Sequence, residues 1–527
     1  MNTRVLSAVV VVLSLCAAAL AVGPTATSQP TTRPRITPGY DTTRLTAPLR
    51  ANGTVDYLAA INQAHSKGVT PANNAAVKLL EAIGPQNMII GSIRDETLKQ
   101  LGVTVPATGQ YFQDYPTPAT SNGPTPYEQA QKGSWRAGEH PELVAWLEKN
   151  KAPLARFLEA SQRPRYFAPI LILPEQKALG VVSATPPGMA PYRNLARAMV
   201  IRANLAVAEG RTLDAWRDLL AVHRMGRLMD QDSSVLARLV GIACCALADT
   251  ATQAMLASGT LTADQAQQVL KDLSALSPTP TAASCIDLER YGNLDFTTIL
   301  AARPGTLEQF MTYSGGGRPK DARDEMFIKL LSGAMMASDM DWNVVLRSFN
   351  RYYDEVQAGM RLPTFAQRTA AMKKIDAEIQ EFKRRATQEI ARRAAQPPIA
   401  TSEPASPPGQ PNAKTRWAAD VVMGIVLPPL GRAQILADGA AVRRDMTLLA
   451  AGLAVYKTQN GKYPATLAAL SPAILKTVPR DIFSGKPFLY KSTSQGYLLY
   501  SVGENMTDDN ATDKAAGGDD IVLKTPK

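Results

Sequence analysis

Apolar residues recur at helical spacing over most of the chain. Two amphipathic segments, Tyr192–Ala208 and Thr212–Met229, predict a pair of helices that is broken by a Glu-Gly turn. The next segment, Val235 to Leu256, is apolar on all faces, which predicts a helix in the centre of a bundle. No fixed repeat period relates these segments. We therefore expect residues 51–395 to form a mainly α region, either an irregular helical bundle or a short helical-repeat-like array.

Local patterns predict where further helices begin and how far they run. Thr262 and Gln265 stand three residues apart before an apolar run, which is the spacing of a capping box at a helix start. Pro153 is predicted to separate two short amphipathic helices. Phe365 to about Ala395 predicts a long helix with one apolar stripe and with charged side chains on its other faces.

A different pattern follows this helical region. One helix is predicted to run from Val421 to a stop at Gly461, because glycine readily adopts the left-handed conformation that ends a helix. Alternation at Leu489–Tyr490 and at Tyr497–Tyr500 then predicts two antiparallel strands. Residues 413–527 are therefore expected to form a small α+β domain with a short antiparallel sheet.

Two stretches rich in proline border the helical region. Residues 22–50 contain many Thr and Pro and no periodic apolar positions, which predicts an extended tether. Residues 396–412 contain six prolines, which forbid a helix and favour an extended linker. The region after this linker is expected to move relative to the region before it.

Residues 1–21 have the features of an export signal. Arg4 supplies a positive charge, Val5 to Ala18 is apolar, and Ala19-Leu20-Ala21 fits the small-x-small pattern that signal peptidases cleave. The alternative is an uncleaved anchor that keeps the chain on the membrane. We expect an exported protein of the periplasm, the cell envelope or the extracellular space.

Composition indicates a globular protein and restricts its partners. Hydrophobic residues make up 45% of the chain and charged residues 20%, as in folded proteins. The formal net charge is +11, but the basic residues are spread along the chain and no nucleic-acid-binding motif is present. We expect protein partners or anionic envelope polymers, and no nucleic acid. A membrane contact is expected only through an uncleaved signal.

The cysteines do not form a disulfide framework. Cys16 belongs to the predicted signal, which leaves Cys244, Cys245 and Cys285. Cys285 and one of the other two form the only pairing that we consider. We favour the alternative, in which all three are free thiols that pack in the core as small apolar side chains.

The last fifth of the chain carries an ordered set of turn and strand motifs. These are Tyr456, Gly461-Lys462-Tyr463-Pro464, Gly485-Lys486-Pro487 and Gly496-Tyr497, followed by Ser501-Val502-Gly503. Their order and spacing over about 417–527 resemble the major pseudopilin of type II secretion systems (the protein G-like family). This resemblance implies a helix, a short antiparallel sheet and a calcium-binding last loop. The processing motif of that family is missing and the helix is internal, so we expect a pseudopilin-like module reused in an exported protein.

The loop between residues 504 and 520 concentrates negative charge. It holds six carboxylates and one Lys, an arrangement that is unfavourable unless solvent or a cation neutralises it. The resemblance implies calcium ligands that begin at Gly503-Glu504-Asn505 and close at Asp520-Ile521. The candidate calcium ligands are Asn505, Asp508, Asp509, Asp513 and Asp520. The alternative is a solvated acidic loop without metal.

No pattern in the sequence indicates catalysis. The three histidines, His65, His140 and His223, do not stand at metal-binding spacing, and no Gly-x-Ser-x-Gly motif is present. We expect an exported, non-enzymatic scaffold or interaction protein with a pseudopilin-like module, stabilised by calcium. The alternatives are an envelope-polymer hydrolase with a cleft in the helical domain, and a divergent type II secretion component.

Overall fold

A computed structural model describes residues 36–116, 123–184, 186–232, 234–279, 282–313, 340–395, 411–428, 430–493 and 495–525. The predicted signal peptide (1–21), part of the predicted tether (22–35) and most of the predicted linker (396–410) lie outside these residues. Within the described ranges the chain forms seventeen α-helices and one three-stranded antiparallel sheet. The predicted fold class, mainly helical with a short antiparallel sheet near the C-terminal end, is confirmed.

Seven short helices come first: α1 (Tyr57–Ser66), α2 (Ala75–Ile83), α3 (Pro85–Met88), α4 (Arg94–Leu101), α5 (Pro126–Lys132), α6 (Pro141–Lys149) and α7 (Lys151–Ser161). The Asn74 side chain caps α2 by accepting from the backbone N–H of Ala76 at 3.0 Å. Pro153 lies inside the first turn of α7, where a missing N–H breaks no helical hydrogen bond. The break between α6 and α7 therefore falls at Asn150 and not at the proline.

Four longer helices follow: α8 (Met189–Ala208), α9 (Thr212–Leu228), α10 (Val235–Ala257) and α11 (Ala263–Ala275). The predicted helical pair corresponds to α8 and α9, and the predicted central helix to α10, which packs against both of them. The capping box of Thr262 and Gln265 is present at the start of α11. These predictions are confirmed.

The next helices build a second layer: α12 (Asp287–Ala302), α13 (Thr306–Met311), α14 (Trp342–Met360) and α15 (Phe365–Ala395). The Asp341 carboxylate caps α14 by accepting from the backbone N–H of Asn343 at 3.0 Å. Helix α14 packs against α12 and α15. The bounds of α15 are those predicted from its apolar stripe.

The C-terminal part begins with two helices, α16 (Ala413–Val426) and α17 (Gly431–Asn460), and ends with three strands, β1 (Leu489–Ser492), β2 (Tyr497–Ser501) and β3 (Ile521–Thr525). The continuous helix predicted from Val421 is wrong, because Leu427 before Pro428 is extended, as residues before proline prefer. Helix α17 ends at Gly461, whose φ of +74° confirms the predicted left-handed stop. In the sheet, Leu489 lies opposite Tyr500 and Ser501 opposite Ile521.

Helix α17 is a central element of the whole molecule. It packs against α10 and α11, and it also contacts strand β2 of the three-stranded sheet. Buried side chains of α17 and the sheet, such as Leu449 and Leu499, share one hydrophobic core with those of α9 and α11, such as Leu219 and Val269. A second hydrophobic core contains buried side chains from each of the helices α12, α13, α14, α15 and α16. The C-terminal part therefore does not pack as a separate body, contrary to the movement expected from the proline-rich linker.

The segment 36–50 is also part of the folded structure. Thr42 and Thr43 are each 2% exposed. The Asn350 side chain on α14 donates to the carbonyl of Thr42 at 2.6 Å, and the Tyr57 hydroxyl donates to the carbonyl of Thr43 at 2.8 Å. The predicted tether therefore does not extend to residue 50, because its second half includes Thr42 and Thr43, which are held by hydrogen bonds to two helices.

The cysteines and the apolar helices lie in the interior. Cys244, Cys245 and Cys285 are buried free thiols, which confirms the favoured interpretation. Two stretches, Val235–Ala257 and Ala413–Asn460, are apolar and long enough to cross a membrane. Their most apolar windows are 61% and 65% buried inside the fold, which is typical of core helices and leaves only weak evidence for a membrane span.

Candidate metal centre

The acidic loop, residues 502–520, joins two neighbouring strands and folds back on itself. Because β2 and β3 pair antiparallel, with Ser501 opposite Ile521, the two ends of the loop lie side by side. Near its end, the backbone N–H of Asp520 donates to the carbonyl of Thr512 at 3.1 Å. The turns of the loop therefore bring residues distant in sequence into contact.

Three carboxylates meet where the loop returns to the sheet. Asp509, Asp519 and Asp520 each offer one oxygen, and these oxygens lie within 4.8 Å of one another. Asp520 is 3% exposed and the other two are half-buried. In the described part of the chain this is the one group of three His, Cys, Asp or Glu side chains close enough to hold a metal ion. We call it the carboxylate cluster.

Backbone N–H groups donate to some oxygens of the carboxylate cluster and orient the side chains, but they do not reach all of its oxygens. Asp509 Oδ2 accepts from the N–H of Asp519 at 3.0 Å, and Asp519 Oδ2 accepts from the N–H of Asn505 at 2.9 Å. Asp520 Oδ1 accepts from the N–H of Asp509 at 3.4 Å, whereas Asp519 Oδ1 and Asp520 Oδ2 are buried and have no hydrogen-bond partner among the described residues. A buried carboxylate oxygen without a donor is unfavourable, so these two atoms are suited to a cation.

Gly503 allows the start of the loop to lie against Asp519. Its φ is +70°, and a Cβ atom at this position would lie 2.6 Å from Asp519 Oδ1. Glycine alone fits both the left-handed backbone and the available space. This close approach helps to keep solvent away from the Asp519 carboxylate.

The electrostatics of the carboxylate cluster also favour a cation. Burial raises the pKa of Asp519, and the neighbouring charges of Glu504 and Asp509 raise it further. Burial likewise raises the pKa of Asp520, the backbone N–H groups of Asp509 and Ala511 oppose this effect, and the charges of Asp509 and Asp508 add to it. A nearby positive charge would act in the opposite direction, because it favours ionised carboxylates.

Three of the five predicted ligands lie together. Asp509 and Asp520 belong to the carboxylate cluster. Asn505 lies beside it and donates through Nδ2 to Asp509 Oδ2 at 3.1 Å. The Asn505 amide oxygen accepts from the backbone N–H of Thr507 at 2.6 Å. Asn505 therefore supports the cluster as a donor, while its own oxygen is already hydrogen-bonded.

The other two predicted ligands stabilise turns. Asp508 accepts from the Tyr500 hydroxyl at 3.1 Å, and Asp513 accepts from the backbone N–H of Ala515 at 3.0 Å. Neither belongs to the carboxylate cluster. The third carboxylate of the cluster belongs to Asp519, which is not among the five predicted ligands. Its signal in the sequence is its position close to the returning strand, where the two ends of the loop meet.

Basic side chains tie the acidic loop to helix α17. Glu504 pairs with Arg432 of α17 at 2.7 Å and with Lys514 at 3.1 Å. Burial alone would raise the pKa of Glu504, but Lys514 and Arg432 hold it below its ordinary value. Glu504 is thus neutralised by side chains of the protein, whereas the carboxylate cluster has no basic partner within ion-pair distance in the described residues.

The histidines are separate from the carboxylate cluster. His223 is 1% exposed, with Nε2 at 3.1 Å from Thr252 Oγ1 and Nδ1 at 3.9 Å from Asp249. Burial lowers the pKa of His223 to about 3, so this side chain is neutral. His65 and His140 lie in the helical region near the surface. None of the three belongs to a metal-binding group among the described residues.

Comparison of the chain with protein-family models, with curated proteins and with solved structures finds no significant match.

Proposed function

We propose that this chain is an exported, non-enzymatic interaction protein whose pseudopilin-like C-terminal part is stabilised by calcium. The helical region supplies the surface for protein partners or anionic envelope polymers. The observation that carries the proposal is the carboxylate cluster, in which two buried oxygens lack a hydrogen-bond donor.

The residues of the cluster fit a hard divalent cation. Calcium takes about six to eight oxygen ligands in flexible geometry, and carboxylates are its common protein ligands. Asp509, Asp519 and Asp520 would hold the ion, whose charge keeps carboxylates ionised despite burial. Magnesium demands a stricter octahedral arrangement. A loop built from turns therefore suits calcium better.

The position of the cluster supports a structural role for the ion. The acidic loop connects β2 to β3, and Glu504 of this loop pairs with Arg432 on α17. Fixing the loop therefore fixes an edge strand and its contact with the central helix. The free energy gained on binding would appear as stability of the folded chain.

Three features of the sequence support the remaining parts of the proposal. The pattern of residues 1–21 supports export. The net charge of +11 favours contact with anionic polymers of the cell envelope. The resemblance of residues 417–527 to the major pseudopilins is consistent with the same cellular location.

Thermal unfolding of the full chain tests the calcium part of the proposal. Calcium added to chelator-treated protein should raise the melting temperature by a few degrees, because a ligand at about 100 times its Kd stabilises the folded state by about 2.7 kcal/mol. Asp520→Asn should remove most of this shift. Asp513→Asn is the matched control, since it removes one charge from the same loop outside the cluster.

Two results would count against the proposal. The first is an unchanged melting temperature at millimolar calcium. The second is an equal effect of Asp513→Asn and Asp520→Asn on the calcium-induced shift, which would indicate a general response to loop charge.

A further inference from the structure

A cleft of about 470 Å³ lies on the helical region, among residues distant in sequence from the acidic loop. It is bordered by the segment around 45–48, by α1 and by the start of α12. Leu45, Pro48 and Ile61 line it with apolar surface. Its polar lining consists of Gln63, His65, Ser284, Asp287 and Tyr291. Small-molecule sites have roughly this volume and this mixture of apolar walls and few polar groups.

The wall that carries Leu45 and Pro48 is firmly attached to the rest of the protein. The backbone N–H of Asp56 donates to the carbonyl of Pro48 at 2.8 Å. Arg50 pairs at 2.9 Å with Asp295, whose side chain is fully buried on α12. The cleft is therefore a built feature of the fold and not a gap beneath a loose segment.

The polar groups of the cleft are held in place by contacts behind them. His65 Nδ1 donates to the backbone carbonyl of Gln231 at 3.1 Å, which fixes the orientation of the ring. The Ser284 hydroxyl accepts from Arg238 at 2.8 Å. The Asp287 carboxylate accepts from the Gln357 amide at 3.3 Å. Groups that are oriented before binding lose little entropy when a ligand arrives.

An aromatic ring and a carboxylate lie on the same side of α12. Asp287 and Tyr291 are four residues apart, one helical turn, and both line the cleft. The Tyr291 ring stacks on Tyr57, with centroids 5.8 Å apart. A ring face next to fixed hydrogen-bond acceptors is complementary to a ligand that has an apolar face and a rim of hydroxyl or amino donors.

The charge of the lining also restricts the ligand. Among the described lining residues, Asp287 is the one carboxylate and none is Lys or Arg. Arg290 and Arg44, which act electrostatically on Tyr291, both pair with Asp354, at 2.9 and 3.2 Å. An anionic ligand would therefore meet the Asp287 carboxylate without a Lys or Arg among the described lining residues to offset it.

We propose that this cleft binds a polyhydroxylated ring without negative charge, of the neutral-sugar or amino-sugar type. The ring face lies against Tyr291 and the apolar wall, and its hydroxyl or amino donors reach Asp287. The proposal depends on the proposed function only in that the helical region is the binding part. The calcium test and the sugar test use different residues, so either can fail while the other succeeds.

Three sugars with the same ring and different charge test the proposal. We would titrate the full chain, in a His65→Gln background that removes the imidazole from the cleft lining, with glucosamine, glucose and glucuronate at about pH 6.5, where an amine of this kind is protonated. Binding is followed by ligand-observed NMR. Glucosamine should bind about tenfold more tightly than glucuronate. The ammonium group of glucosamine forms an exposed charge pair with Asp287, whereas the carboxylate of glucuronate is repelled by it. Glucose should lie between them.

Two variants assign the effect to the cleft. Asp287→Asn should reduce the affinity for glucosamine to that for glucose, whereas Asp264→Asn, an acidic residue in the first turn of α11, should change nothing. Ala64→Trp adds bulk from an exposed position on the cleft rim and should abolish binding of all three sugars. Absence of binding by every sugar, tighter binding of glucuronate, or full affinity in Ala64→Trp would overturn the proposal.

Discussion

At the residue scale, two glycines let α9 and α10 touch backbone to backbone. A Cβ atom at Gly226 would lie 2.8 Å from the carbonyl oxygen of Gly241, and one at Gly241 would lie 2.6 Å from the carbonyl oxygen of Gly226. Both distances are shorter than a van der Waals contact. Any side chain at either position must push α9 and α10 apart.

Gly226→Ala should therefore destabilise the protein by about 1–3 kcal/mol, the range for overpacked cores, even though alanine favours helices. Chemical denaturation measures the change. Gly305→Ala is the control, because Gly305 has a φ of −63° and no atom within 4 Å of its added Cβ. Equal stability of the two variants would contradict the close approach of α9 and α10.

Residue-level features were predictable where the cause is local. Thr262 with Gln265 and the stop at Gly461 depend on a few neighbouring positions, and all three residues lie as predicted. The ligand set was not predictable to the same extent. Asp519 lies close to Asp509 only because β3 pairs with β2. Asp513 does not belong to the carboxylate cluster, because its carboxylate accepts a backbone hydrogen bond within a turn.

At the element scale, a buried polar contact joins α10 to α17. Thr447 of α17 donates to Asp249 of α10 at 2.9 Å, and both residues are almost fully buried. Burial raises the pKa of Asp249 to about 6, although Thr447 and nearby arginines oppose this effect. The contact between α10 and α17 therefore contributes to the free energy of unfolding by an amount that depends on pH.

The sign of this contribution follows from the raised pKa. The pKa of Asp249 is higher in the folded state than in the unfolded chain, so protonation of Asp249 stabilises the fold. This contribution to the free energy of unfolding is fully present below about pH 4 and is lost as the pH rises through about 6. Asp249→Asn keeps an acceptor for Thr447 without a charge. Its free energy of unfolding, relative to the wild type, should rise by up to about 3 kcal/mol between about pH 4 and pH 7.

Urea denaturation at several pH values measures this difference, with Asp264→Asn on the surface of α11 as the control. The lowered pKa of His223 makes the free energy of unfolding fall as the pH drops below about 6.5. Because His223 Nδ1 lies 3.9 Å from Asp249, its titration is removed by making the same comparison in a His223→Gln background. A difference that stays constant with pH would show that Asp249 does not titrate in this range.

Helices with strong periodicity were predictable as elements, and their interruptions were less so. The bounds of α15 follow from its stripe of apolar residues. The break between α16 and α17 is marked in the sequence by Pro428 and Pro429, and it was missed because the apolar run continues across them. Strand β3 was missed because five residues next to an acidic loop give a short pattern.

At the scale of the whole molecule, the C-terminal part completes the core of the helical region. Side chains of α17 such as Val442 and Leu449 are fully buried in the same core as Leu219 and Val222 of α9. An apolar helix in a sequence indicates burial but does not identify its partner. For this reason the sequence predicted two separable regions, whereas the described structure has cores that cross the predicted boundary.

Neither part should be stable alone. Residues 1–412 produced without 413–527 would expose the faces of α10 and α11 that α17 covers, so we expect no cooperative thermal transition. Co-expression of the two fragments is the control and should restore one transition. A sharp transition of the 1–412 fragment by itself, close to that of the full chain, would show that the shared core contributes little.

The most direct test of the central claim is a calorimetric titration of the full, chelator-treated chain with calcium. We predict binding of one ion per carboxylate cluster, lost in Asp519→Asn and in Asp520→Asn. Binding should be retained in Asp508→Asn, whose carboxylate lies outside the cluster and accepts from Tyr500. A titration without heat at millimolar calcium, or binding that survives both cluster substitutions, would contradict the account.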